Sequence, residues 1–84
     1  MSDAELVFTI YSRAECHLCE EMLAALKKWQ NRFNFKVQMI NIDQDTSLIA
    51  RFAARIPLLA MDDIEICEYH FDETAFLQFF ENEK

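Results

Sequence analysis

The chain has 84 residues, a formal net charge of -7, 52% hydrophobic residues, three cysteines, one proline and no glycine. One acidic globular domain spanning residues 1–84 is expected, because this length holds a single modest core and the apolar content is too high for a disordered acidic tail. The lack of glycine excludes phosphate cradles and dinucleotide loops, and the acidic balance disfavours nucleic-acid and anionic-membrane partners.

Residues 1–5 carry no basic stretch leading into an apolar one, so no secretory signal is read there, and no apolar run reaches membrane-spanning length. An odd cysteine count in that context points to a reducing, cytoplasmic setting in which any disulfide is transient. Residues 6–11 are rich in Val, Phe, Thr, Ile and Tyr and read as a buried strand, followed by a turn at 12–15. From Cys16, the residues Leu18, Met22, Ala25, Leu26, Trp29 and Phe33 recur at three- and four-residue steps, the stripe of a helix of about four turns. Glu20 and Glu21 near its start and Lys27 and Lys28 near its end suit the helix dipole. Asn31 and Asn34 mark its termination. Phe35, Val37 and Met39 then alternate with polar residues before Ile40 and Ile42, predicting a second strand more buried in its later half.

Asp43 or Asp45 can cap a short helix carrying Leu48, Ile49, Phe52 and Ala53, which must close at Ile56 because Pro57 disfavours helical geometry in the residue before it. Residues 57–61 and 64–69 read as a hairpin turning at Asp62 and Asp63. Asp72 caps a last helix bearing Ala75, Phe76, Phe79 and Phe80, with Phe71 and Phe76 spaced as a hydrophobic staple. The order βαβαββα predicts an α/β fold: a mixed four-stranded sheet, its first two strands parallel and its last two antiparallel, with helices on both faces. Eight phenylalanines and one tryptophan fill its core.

The chemistry rests on Cys16-His17-Leu18-Cys19, a CxxC element where a strand passes into a helix. Unsatisfied N–H groups in the first helical turn favour a thiolate, and a cysteine so placed can have its pKa lowered from about 8.5. Cys16 is then the candidate nucleophile and Cys19 the resolving thiol. The motif alone also allows a pair of small structural residues or half of a metal site.

Residues Ile10-Tyr11-Ser12-Arg13-Ala14-Glu15-Cys16-His17-Leu18-Cys19-Glu20-Glu21 and Arg55-Ile56-Pro57-Leu58 resemble the thioredoxin superfamily, in its short glutaredoxin-like branch. The resemblance spans nearly the whole chain and implies a thioredoxin-like fold. It also implies a cis Pro57 lying against the cysteines, with the Ile56 backbone free to pair with an incoming peptide or glutathione. Thioredoxins proper resemble the chain less: where they have a buried Asp and a Trp, this sequence has Ile10 and Glu15. Arg13 matches a basic position of glutaredoxins, and Asp72 an acidic one. The glutaredoxin Gly-Gly pair before the last helix is replaced by Tyr69, His70 and Phe71, and His17-Leu18 stands where Pro-Tyr is usual.

The resemblance implies a thiol–disulfide oxidoreductase of cell redox homeostasis, reducing protein or glutathione mixed disulfides by dithiol exchange. Cys16 and Cys19 are its expected catalytic residues, and Arg13, His17, Leu18, Arg55, Ile56, Pro57 and Asp72 its expected substrate-binding residues. No tightly bound cofactor and no metal are expected. Glutathione is a candidate co-substrate, glutathione or a thioredoxin-reductase-type donor the reductant, and the chain is expected to be a monomer. A metal or iron–sulfur module using the CxxC pair and a non-catalytic interaction domain are the alternatives.

Several neighbours carry two readings. His17 is either a partner of Glu21 that helps stabilise the thiolate or an ordinary exposed histidine. His70 reads foremost as a surface residue. Arg13, Arg51 and Arg55 either gather into a basic patch at the site or remain solvated. Glu15 and Glu20 oppose a thiolate at Cys16, so a mild reductant is expected. Cys67 reads as a small core residue, and the acidic runs at 62–63 and 81–83 as solvated surface.

Overall fold

The structure, a computed structural model, describes residues 6–81; the amino-terminal segment and most of the acidic run 81–83 lie outside the described residues. Four strands, β1 (Leu6–Ser12), β2 (Phe35–Asn41), β3 (Leu58–Met61) and β4 (Ile64–Glu68), and three helices, α1 (His17–Trp29), α2 (Thr46–Phe52) and α3 (Glu73–Glu81), follow in the order β1-α1-β2-α2-β3-β4-α3. Short 3-10 turns at Ile42–Gln44 and Ala53–Arg55 flank α2. The sheet order is β2-β1-β3-β4, with β1 parallel to β2 and antiparallel to β3, and β3 antiparallel to β4.

Side-chain alternation divides the core between the two faces of this sheet. Phe8, Ile10 and Leu59 point to one face, where they meet Met22 and Leu26 of α1 and Phe76 of α3. Leu58 and Ala60 point to the other, against Ile42 and Phe52 of the α2 side. Phe8 has no exposed surface and lies with its ring 5.2 Å from those of Phe35 and Phe76 and 5.9 Å from that of Phe79. Burying a side chain of this size contributes about 1.5–3 kcal/mol, so this aromatic cluster is the main fastening of α1 and α3 to the sheet.

The helix ends follow the sequence closely. The Asp45 carboxylate accepts the Ser47 N–H at 2.9 Å, and the Asp72 carboxylate accepts the Ala75 N–H at 3.1 Å, each satisfying a first-turn donor. Phe71 packs on Phe76 at 5.4 Å, completing the staple. Helix α1 stops at Trp29, and Phe33 stacks on that ring at 5.9 Å from beyond the helix.

Two local features depart from the expected pattern. The later half of β2 is not the more buried: Phe35 is 6% exposed but Met39 is 42% exposed, because β2 is an edge strand, and Ile42 reaches the core from the turn beyond it. In β4, Leu59 pairs with Cys67 and Ala60 with Glu65, so Ile66 is an extra residue. This bulge lets the consecutive Ile66 and Cys67 both pack against the cluster around Phe8.

Candidate active site

The topology brings three segments to one end of the sheet. Strand β1 ends at Ser12, and the antiparallel pairing of Tyr11 with Leu58 places Pro57 beside that end. Leu58 also pairs with Glu68, and the Tyr69 N–H donates to the Pro57 carbonyl at 2.8 Å. The cysteine turn, Pro57 and the 69–71 segment therefore converge where β1 hands the chain to α1.

Glu15, with φ 59, makes the turn into the helix, and Cys16 adopts the extended conformation of a helix cap. Its Sγ accepts the Cys19 backbone N–H at 3.2 Å, and its carbonyl accepts the Glu20 N–H at 3.2 Å. Cys16 thus occupies the position usually held by Ser, Thr, Asp or Asn, with sulfur as the acceptor of the orphan donor. Cys16 and Cys19 form a disulfide with a Cα–Cα separation of 5.2 Å. Cys16 is half-buried, whereas Cys19, in the first turn of α1, is 1% exposed. Cys16 is therefore the more accessible member of the pair and Cys19 the buried one.

The Ile56-Pro57 bond is cis and Pro57 is fully buried, while Ile56 is half-buried with an extended backbone. Between the cysteines, His17 is exposed and pairs with Glu21 at 2.8 Å, and Leu18 is half-buried. Leu18, Glu21 and Met22 form one wall of a cavity of about 250 Å³; Tyr69, His70 and Phe71 form the other. His70, read foremost as a surface residue, is exposed and takes part in this wall.

Arg51 and Arg55 both act on the Glu65 carboxylate, whereas Arg13 is held by Asp43. Arg13 pairs with Asp43 at 2.9 Å, and the Arg51 guanidinium lies over the Phe52 ring at 4.7 Å. Arg55 is clamped to β4, donating to Glu68 at 2.7 Å and pairing with Glu65. The hydrogen bonds Arg55 donates to Glu65 and then to Glu68 push its pKa up, and Arg55 holds the Glu65 carboxyl below the usual carboxylate range. Each of the three guanidiniums thus has an internal partner. Asp72 caps α3, and Cys67 is half-buried on β4, where burial pushes its thiol up, opposed by a hydrogen bond with the Asp72 backbone. Among the described residues, no three His, Cys, Asp or Glu side chains are grouped to hold a metal ion, and no helix is long and apolar enough to cross a membrane.

Two residues at the site carry more than the sequence reading assigned them. Tyr69 holds a left-handed backbone, φ 71, and donates its hydroxyl to the Ala54 carbonyl, so it ties the segment before Pro57 to the end of β4. Only the tertiary pairing signals this. Glu21, read as a partner of His17, also walls the cavity. The 18, 21, 22 spacing places it on the helix face it shares with Leu18 and Met22, a signal present in the sequence.

Residues 7–81 match the family model described as Glutaredoxin-like domain (DUF836). The chain belongs to this glutaredoxin-like family. Among solved structures it is similar to protein Ne2328 from Nitrosomonas europaea, at 33% identity and a TM-score of 0.84, over 90% of this chain and 92% of that one. Protein XcR50 from X. campestris, at 23% identity, covers 92% of this chain and 99% of its own with a TM-score of 0.69. Thioredoxin 1 from Thermosipho africanus shares the fold at 16% identity, a TM-score of 0.60, and coverage of 90% and 91%. No curated protein sequence matches the chain. The glutaredoxin-like domain thus carries its CxxC pair at the amino end of α1, in a thioredoxin-like mixed sheet.

Proposed function

We propose that this glutaredoxin-like domain is a thiol–disulfide oxidoreductase that reduces protein or glutathione mixed disulfides by dithiol exchange in cytoplasmic redox homeostasis. The observation that carries the reading is the asymmetry of the pair: Cys16 caps α1 with its sulfur on a backbone N–H and partly exposed, while Cys19 lies bonded to it and buried.

In the reduced chain, the donor N–H and the first turn of α1 favour negative charge on Cys16 Sγ. The thiolate attacks one sulfur of the substrate, breaking its S–S bond; the leaving thiolate takes up a proton and Cys16 is held in a mixed disulfide. Cys19 loses its proton and attacks Cys16 Sγ, which releases the second substrate thiolate and closes the Cys16–Cys19 bond. Two electrons pass from the pair to the substrate. Glutathione, as co-substrate, or a thioredoxin-reductase-type donor returns them. The extended backbone at Ile56, beside Pro57, is the edge on which an extended substrate pairs, with Leu18 and His17 beside the attacked sulfur.

Equilibration in graded glutathione buffers, with free thiols trapped by alkylation and mapped by mass spectrometry, tests this. A reversible Cys16–Cys19 bond or a Cys16 glutathione adduct is expected, with Cys67 unchanged. Cysteines that do not cycle at any poise would overturn the reading.

A further inference from the structure

The cavity beside the redox pair also has a charge. Its walls, Leu18, Glu21 and Met22 on α1 and Tyr69, His70 and Phe71 opposite, offer apolar surface, two rings, an imidazole and one carboxylate. The segments that frame it add Glu15 and Glu20 around the cysteines, and Asp72 and Glu73 at the start of α3. Against these stand the guanidiniums of Arg13 and Arg55, the first paired with Asp43 and the second with Glu65 and Glu68. Arg51 lies over Phe52, and Lys27 and Lys28 belong to the far end of α1. The whole chain, at -7, extends the same sign beyond the site.

Resting on the exchange reading above, we propose that this cavity docks a cationic polypeptide segment flanking the substrate disulfide, and that the site therefore selects disulfides in basic sequence over anionic ones such as glutathione disulfide. Lys or Arg side chains of the segment take the place of His17 on Glu21 and meet its acidic surroundings, their aliphatic stems lie along Leu18, Met22 and Phe71, and the peptide backbone runs toward the Ile56 edge. An anionic ligand finds no guanidinium free of a carboxylate or ring partner among Arg13, Arg51 and Arg55. Like charge raises the cost of its approach.

The test is a single-turnover reaction of the reduced chain, whose own dithiol supplies the two electrons and two protons. The substrates are two peptide disulfides with one cysteine core, flanked by lysines in one and glutamates in the other, together with glutathione disulfide. Each rate is divided by that for the same disulfide with dithiothreitol, which removes differences in intrinsic reactivity. At low ionic strength the lysine peptide is expected to react about tenfold faster than the glutamate peptide, the scale of electrostatic steering. The preference should shrink toward unity in about 0.5 M salt, where the screening length is ~4 Å. Glu21→Gln should lower the ratio of the lysine-peptide rate to the glutamate-peptide rate. Equal rates for the two peptides, or a faster reaction with glutathione disulfide, would overturn the preference and leave the exchange reading standing. Rates on all substrates no higher than those of Cys16→Ser would overturn both.

Discussion

The chain holds its cysteines in two contrasting environments. At the amino end of α1, Cys16 receives a backbone N–H on its sulfur, has partial access to solvent, and keeps a second cysteine behind it. On β4, Cys67 faces Leu59 across the ladder, packs against the cluster around Phe8, and has its thiol pushed up by burial. The two regions share a side chain and differ in what surrounds it. Dipolar donors at a helix start favour a charged sulfur, whereas an apolar neighbourhood favours the neutral thiol. Reactivity here belongs to the location rather than to the residue type.

The largest effect separates the two regions directly. Cys16→Ser should bring disulfide reduction down to background, while Cys67→Ala leaves it unchanged; stopped-flow assays with a model disulfide measure both. Should Cys67→Ala cost as much as Cys16→Ser, the contrast would collapse.

Next in size is the core that shields Cys67. Phe76 has no exposed surface and meets Phe8, Phe35, Phe71 and Phe80. Its replacement by Ala should cost about 3–5 kcal/mol in urea unfolding and expose Cys67 to faster alkylation. A loss below 1 kcal/mol would mean that the aromatic cluster is not the fastening it is taken to be.

A smaller change comes from the cap that joins the two regions through the 69–71 segment. Asp72→Ala removes the acceptor for the Ala75 N–H and should lower stability by about 1 kcal/mol in thermal unfolding, with the Cys16–Cys19 bond still formed. Asp72→Asn, which retains the acceptor, should recover most of that loss.

The smallest effect is the titration of Cys67. Its folded pKa lies above the unfolded value, so its contribution to stability is fully present below the unfolded thiol pKa and is lost as pH rises through the folded one. Unfolding curves across the alkaline range should therefore show a loss that Cys67→Ala removes, and the alkylation rate of Cys67 should reach half its maximum above the ordinary thiol range. A midpoint at or below that range would contradict the assignment of Cys67 to an apolar setting.

Much of this was legible in the chain itself. Periodicity located β1, α1 and the staple of Phe71 on Phe76, and the caps Asp45 and Asp72 were legible because each needs only its own side chain and the next few N–H groups. The pairing of His17 with Glu21 was legible for the same reason, being local to one helical turn. Less legible were features that depend on distant partners. The partners of the arginines lie far from them in sequence or on their own helix: Asp43 for Arg13, Glu65 and Glu68 for Arg55, and Phe52 together with Glu65 for Arg51. The exposure of Met39 followed from β2 being an edge, which alternation within the strand does not reveal.

By itself, then, the sequence determined the order of elements, the CxxC pair at a strand-to-helix junction and the single proline that opens β3, because these follow from local stereochemistry and hydrophobic period. The tertiary structure alone decided that Cys19 is buried beneath a partly exposed Cys16. It also decided that the bulge at Ile66 turns Cys67 toward the core, and that Tyr69 and Glu21 wall one cavity beside the redox pair. Burial and juxtaposition are properties of strand order and register, and those are set by contacts between segments dozens of residues apart.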